Sequence, residues 1–225
     1  MARPHPRALT ASAPVAGETG LAVVKLGGSV VRSGELAPWL DAIAAAPCPV
    51  IVVPGGGALA DEVRSVQAAL GFGDPAAHRM ALLAMDQLAW AVAGLRQGFT
   101  VGTTEAELRA VLQRDDVAVW APYGLVAGRS DIEESWRLTS DSLALWLAAR
   151  IGASRCFLLK SIRRQGTAAN AAELARGGIV DAAFPSMLKE AGVSAFLLGR
   201  GDQKAFAAAL AAKDAEAGNF ATAIT

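Results

Sequence analysis

Charge of one sign, cysteine, histidine, tyrosine and long apolar runs are all scarce in this chain. Its 225 residues carry 21 basic and 21 acidic side chains, a formal net charge of zero, and no block of like charge stands out. Duplex nucleic acid as a main partner is therefore excluded, because a polyanion of that size needs a basic face. Only two cysteines occur, Cys48 and Cys156, each beside an apolar run. No ligand cluster surrounds either, so no metal site is expected; both read as small buried thiols suited to a reducing cytoplasm. No run reaches the roughly 18 apolar residues of a membrane span, so no membrane partner is expected. Residues 1–19 are interrupted by Pro, Ala and Arg and lack the sustained apolar stretch of a signal peptide. They read as a flexible leader, and His5 within it has little claim to function.

Apolar residues are plentiful, at 53% against 19% charged. Over residues 20–225 that suits one sizeable domain. Its most informative feature is a pair of glycine clusters, each directly after an apolar run. Leu21-Ala22-Val23-Val24 leads into Lys25-Leu26-Gly27-Gly28-Ser29, and Val50-Ile51-Val52-Val53 leads into Pro54-Gly55-Gly56-Gly57. Each reads as a buried parallel strand ending in a tight loop before a helix. Backbone amides in such loops can cradle phosphate, and Lys25 adds a point charge. The spacing fits neither a Walker A loop nor a dinucleotide fingerprint.

The remaining pattern continues the alternation of strands and helices. Helices are expected at about 35–45, 58–70, 76–96, 104–112 and 140–151, with Thr103 or Thr104 capping the fourth and Ser140-Asp141 the fifth. Strands are expected at 117–120, 156–159 and 193–198, then a helix at 203–212 and one short strand at most in the tail. Residues 163–178 read as an irregular excursion with a short helix near 171–175, and 181–191 as partly helical. The implied fold is α/β, a three-layer αβα sandwich with a largely parallel central sheet.

Ligands in such a sheet bind beyond the carboxyl ends of the strands. Lys25, Gly55–Gly57, Lys160 and Gly199-Arg200-Gly201 all follow strands, and Asp141 opens the helix feeding the Lys160 strand. Two lysines, glycine loops, an arginine and one carboxylate on one edge suit phosphoryl transfer. Asp141 would hold Lys25 or a magnesium ion, or serve only as an N-cap; Lys160 would meet phosphate or simply reach water. His78, Asp86 and Gln87 lie on one otherwise apolar helix, and are either partnered in the interior or exposed to a ligand. Trp136 reads as core packing or as a pocket wall. Arg64 and Arg200 are candidate contacts for an acceptor phosphate, while Arg163-Arg164 reads as a solvated loop.

VVKLGGSV at 23–30, VVPGGG at 52–57 and TSDSLALWLAARIGA at 139–153 with FLLK at 157–160 resemble the amino acid kinase superfamily. AHRMALLAMDQLAW at 77–90, SWRLTSDSLALWLA at 135–148 and IVDAAFPSMLKEAGVSAFLLG at 179–199 are similar to its methanofuran-pathway branch. That branch uses ATP to convert [5-(aminomethyl)furan-3-yl]methyl phosphate to its diphosphate. The resemblance implies ATP and Mg2+ as cofactors and a small phosphate-bearing substrate. Lys25 would contact the transferring phosphate, with Gly27, Gly28 and Ser29 around it, and Asp141 would orient the phosphate-binding lysine. Gly55, Gly56 and Gly57 would line the acceptor side, and Lys160-Ser161 would border the nucleotide. Family members are commonly oligomeric, and the broad apolar surface of the 76–96 helix also suggests a homo-oligomer.

Two departures from the family pattern stand out. Lys160-Ser161-Ile162-Arg163-Arg164-Gln165-Gly166 replaces an acidic turn, and the tail at 219–225 lacks the usual Gly-Thr and apolar strand. They imply an altered nucleotide side. Two other readings therefore stay open: a kinase for a different carboxylate or phosphate acceptor, and a binding or regulatory homologue without catalysis.

Overall fold

The structure is a computed structural model that describes residues 20–164 and 166–225. The leader expected over 1–19 lies outside the described residues. In chain order the elements are β1 Ala22–Leu26, α1 Gly28–Arg32, α2 Leu36–Ala44, β2 Val50–Pro54, α3 Gly57–Leu70, α4 Asp74–Leu95 and β3 Phe99–Gly102. Then come α5 Glu105–Leu112, β4 Val117–Trp120, α6 Tyr123–Val126, α7 Ser140–Ile151 and β5 Arg155–Leu159. The chain continues with β6 Ala168–Ala169, α8 Ala171–Arg176, α9 Phe184–Ala191, β7 Ser194–Leu198, α10 Gln203–Ala211 and β8 Thr222–Ile224.

Eight strands form one sheet in the order β3-β4-β2-β1-β5-β7-β8-β6. All pairings are parallel except β7 with β8. The expected αβα sandwich is therefore present, with an antiparallel step near one edge. Every residue of β1, β2 and β5 is buried, which is why these strands read as near-continuous apolar runs. Successive side chains go to opposite faces. Val23, Ile51, Val53, Cys156 and Leu158 join the core on one face, with α5, α7 and α9. Val24, Val52, Phe157 and Leu159 join the core on the other, with α2 and α10.

Local signals account for most helix ends. Thr104 caps α5, its hydroxyl accepting from the Glu107 amide at 3.2 Å, and Glu107 accepts from the Thr103 amide at 2.8 Å. That is a reciprocal cap at the first turn. α7 stops at Gly152, whose φ of +82° is the left-handed conformation that closes a helix without a Cβ penalty. β3 was not expected, because Thr100 and Gly102 break its apolar pattern; it is an edge strand and only half-buried. On the outer face of α4, Met80, Leu83 and Trp90 remain exposed. Among the described residues no helix is long and apolar enough to cross a membrane.

Candidate active site

Parallel strands bring the carboxyl ends of β1, β2, β5 and β7 to one edge. Lys25 pairs with Leu158 in the register of β1 and β5, so Lys160 stands two residues beyond it on the neighbouring strand. The period of two puts both lysines on the sheet face that α7 covers. Asp141, in the first turn of α7, lies between them. Lys160 Nζ donates to Asp141 Oδ2 at 2.8 Å. Lys25 Nζ is ion-paired with Oδ1, also at 2.8 Å, though off the line of a good hydrogen bond.

The side chains of Lys25, Lys160 and Asp141 are only 5%, 12% and 6% exposed. Burial alone would push the Asp141 carboxyl up; the charges of Lys160 and Lys25 outweigh it and bring the pKa down to about 2. Burial brings the Lys160 ammonium down to about 8, against the upward pull of Asp141. One carboxylate facing two ammonium groups leaves a net positive charge beneath the strand ends. A buried charge set of that kind is costly unless each member is paired, and Asp141 pairs both.

Ser140, the neighbour of Asp141, lines a cleft of about 580 Å³. Gly28, Ser29 and Gly55–Gly57 line one part of it, Leu82, Met85, Leu138 and Leu143 another. The two glycine loops touch. A Cβ on Gly28 would come within 2.5 Å of the Gly57 Cα, so only glycine permits this approach. Not every loop amide is open to a ligand: Gly27 donates to the Leu159 carbonyl and Gly55 to that of Leu26. The first-turn amides of α1 and α3, at Gly28, Ser29 and Gly57, have no acceptor within their helices.

Arg64, Trp136, His78 and Arg200 also border the cleft. The Arg64 guanidinium lies over the Trp136 indole at 3.6 Å from its ring centroid, and the indole donates to Gln67 Oε1 at 2.6 Å. The stack holds the guanidinium in place, a cation–π arrangement. Arg200 also borders a second, basic depression formed with Arg163, Arg164 and Asp202. Arg164 is not simply solvated there, since it donates to Asp202 at 3.0 Å.

Residues 20–163 match the amino acid kinase family. The chain belongs to that family. A curated relative, the [5-(aminomethyl)furan-3-yl]methyl phosphate kinase of Methanocaldococcus jannaschii, is 24% identical over 191 residues, covering 78% of this chain and 86% of the relative. Among solved structures, uridylate kinase from Archaeoglobus fulgidus matches with a TM-score of 0.67 at 16% identity, over 91% of this chain and 98% of that one. UMP kinase from Ureaplasma parvum matches at 0.65 and 14% identity, over 92% and 99%. These structural likenesses describe the amino acid kinase fold.

Several residues singled out in the sequence take different places in this member of the amino acid kinase family. Lys25, Asp141 and Lys160 lie together; Asp141 is next in sequence to the cleft-lining Ser140, but none of the three is itself on the lining. Ser161 is half-buried in the turn after Lys160, away from the cleft lining. Asp86 does not border the cleft: its carboxylate accepts from the Tyr123 amide at 3.0 Å and braces α6, while burial pushes its pKa up. Gln87 is exposed and also off the cleft. The cap of α7 is another correction. Ser140 and Asp141 lie inside the helix, Thr139 precedes it, and the capping carboxylate belongs to Asp181. Asp181 accepts from the Thr139 and Ser142 amides at 2.9 and 3.0 Å, and from both hydroxyls. This frees Asp141 to face the lysines. Nothing local to Asp181 marks that role, because its partners are some forty residues upstream in the sequence.

Proposed function

We propose that this chain is an ATP-dependent kinase that extends a phosphate monoester to a diphosphate, with [5-(aminomethyl)furan-3-yl]methyl phosphate or a close analogue as acceptor. The observation that carries the reading is the Lys25–Asp141–Lys160 bridge at the strand ends that also carry a glycine-lined cleft. In the transfer, an acceptor phosphate oxygen bonds to the γ-phosphorus of ATP, the bond to the β,γ-bridging oxygen breaks, and ADP leaves with that electron pair. Negative charge gathers on the oxygens in flight, and fixed positive charge in a water-poor site stabilises it. Lys25 and Lys160 supply that charge, and Asp141 keeps both ammonium groups in position.

The glycine loops let phosphate oxygens approach backbone amides at Gly28, Ser29 and Gly57. Arg64, held flat by Trp136, would meet the acceptor's phosphate. Arg200, exposed at the same cleft, would be a second contact for the acceptor's phosphate, and Arg163, also exposed, suits the donor's phosphates. Among the described residues no group of three His, Cys, Asp or Glu side chains is placed to hold a metal. A magnesium ion would thus be held mainly by phosphate oxygens and water, which suits that ion, and would neutralise charge on the nucleotide. The identity of the acceptor rests on the archaeal relative and on the segments shared with its branch.

The test is turnover of [5-(aminomethyl)furan-3-yl]methyl phosphate with magnesium-ATP, read as ADP release and as diphosphate product. Lys25→Ala should lower kcat on the order of 100-fold or more. Near-normal turnover by that variant would remove Lys25 from its role. A well-folded wild type that binds no nucleotide at millimolar concentration would point instead to a regulatory homologue, the reading favoured by the basic turn after Lys160.

A further inference from the structure

Among the described residues lining the cleft, His78 alone has a buried side-chain polar atom without a partner, its Nε2. The residue is 5% exposed. Its Nδ1 lies 3.3 Å from the Ser135 carbonyl oxygen. A carbonyl only accepts, so the proton sits on Nδ1. Burial pushes the imidazole pKa below its ordinary value, against the upward pull of the Ser135 contact, and the ring is neutral at pH 7. Nε2 is then a bare lone pair. Leu82, Met85 and Leu138 share this cleft and offer it no donor. Trp136, next to Ser135, carries the Arg64 guanidinium proposed above for the acceptor phosphate. An unfilled acceptor in an apolar wall costs stability, which a ligand donor would recover.

We infer that His78 Nε2 accepts a hydrogen bond from an N–H group of the acceptor molecule, so that the cleft selects phosphate monoesters bearing an amine on a compact apolar body over those ending in a methyl group. This rests on the kinase reading of the cleft and adds the group its acceptor must carry. His78 is a specificity-determining contact; it moves no proton in the transfer.

Histidine is scarce enough to make the test direct, since only His5 and His78 occur. Protein labelled with 15N-histidine, with His5→Ala to assign the signals, is titrated with [5-(aminomethyl)furan-3-yl]methyl phosphate and with the analogue whose aminomethyl group is replaced by methyl. Free protein should show His78 with Nδ1 protonated and Nε2 unprotonated, and only the amine compound should move the Nε2 resonance. In turnover with magnesium-ATP, wild type should prefer the amine compound by about 10- to 100-fold in kcat/KM, the range of a hydrogen bond to a charged group. His78→Leu should erase that preference by lowering kcat/KM for the amine compound toward that for the methyl compound. His78→Gln, which keeps an acceptor oxygen, should retain part of it.

Equal turnover of the two compounds by wild type would overturn the inference while leaving the kinase reading intact. So would a protonated Nε2 in the free protein, or a resonance unmoved by saturating amine compound. A moved resonance with neither compound phosphorylated would sustain the inference and remove the kinase reading.

Discussion

Asp141→Asn is the substitution with the most to say about this site. The side chain keeps its shape and loses the charge that two buried ammonium groups share. Among the described residues neither Lys25 nor Lys160 has another carboxylate partner. Removing one member of a buried pair costs about 3–5 kcal/mol, because the remaining charge stays desolvated. For a chain of this size that is a fall in Tm of about 6–20 °C. Lys160, already down at about 8 through burial, also loses the upward pull of Asp141 and sheds its proton more readily. Activity should therefore fall together with stability. Thermal unfolding followed by circular dichroism at pH 7.5 reads the loss of stability. Glu173→Gln is the control, since its pair with Arg176 is 70% exposed on the glutamate side and should contribute nothing measurable. Asp141→Asn melting within about 2 °C of wild type would refute the account, because the lysines would then have no need of it. The acid limb offers a second check. With its folded-state pKa lowered from 3.8 to about 2, Asp141 contributes fully above about pH 3.8 and loses that contribution as pH falls through 2. Wild type should lose stability in that window more steeply than the asparagine variant.

Three further outcomes can be checked. In wild type, kcat/KM should fall as pH rises through about 8, where Lys160 gives up its charge; Lys160→Arg, charged throughout, should remove that limb from the pH–rate profile. Gly28→Ala should destabilise by about 1–3 kcal/mol and lower activity, since its Cβ meets Gly57 backbone at 2.5 Å. Gly94→Ala, in α4 with nothing within 4 Å of the added carbon, should instead gain about 0.5–1 kcal/mol. Denaturant melts of the two variants, compared side by side, check both.

The order of strands and helices was open to sequence reading because burial leaves a local record. Strands covered on both faces are continuous apolar runs, helices ending at Gly71, Gly152 and Gly192 carry their stop signals beside them, and glycine clusters mark the strand-to-helix turns. β3 left no such record, since an edge strand needs only half its residues apolar. The helix of His78, Asp86 and Gln87 shows where local reading ends: periodicity places three polar residues on it but not what each meets. Only packing against residues 123 and 135 sends Asp86 to a backbone amide and His78 to the cleft wall, and leaves Gln87 in water.

The amino-acid sequence by itself determined the α/β alternation and the strand-end placement of Lys25, Lys160 and the glycines, because strand period and turn chemistry act over a few residues. Tertiary structure decided the charge state and the neighbours. Asp141 pairs with two lysines only because Asp181, from a distant loop, caps its helix in its place. The lysines meet Asp141 because α7 covers that sheet face, and His78 keeps a bare lone pair on Nε2 because its Nδ1–H donates to the Ser135 carbonyl. Each depends on groups brought together across tens of residues, where burial removes water and makes a single partner decisive.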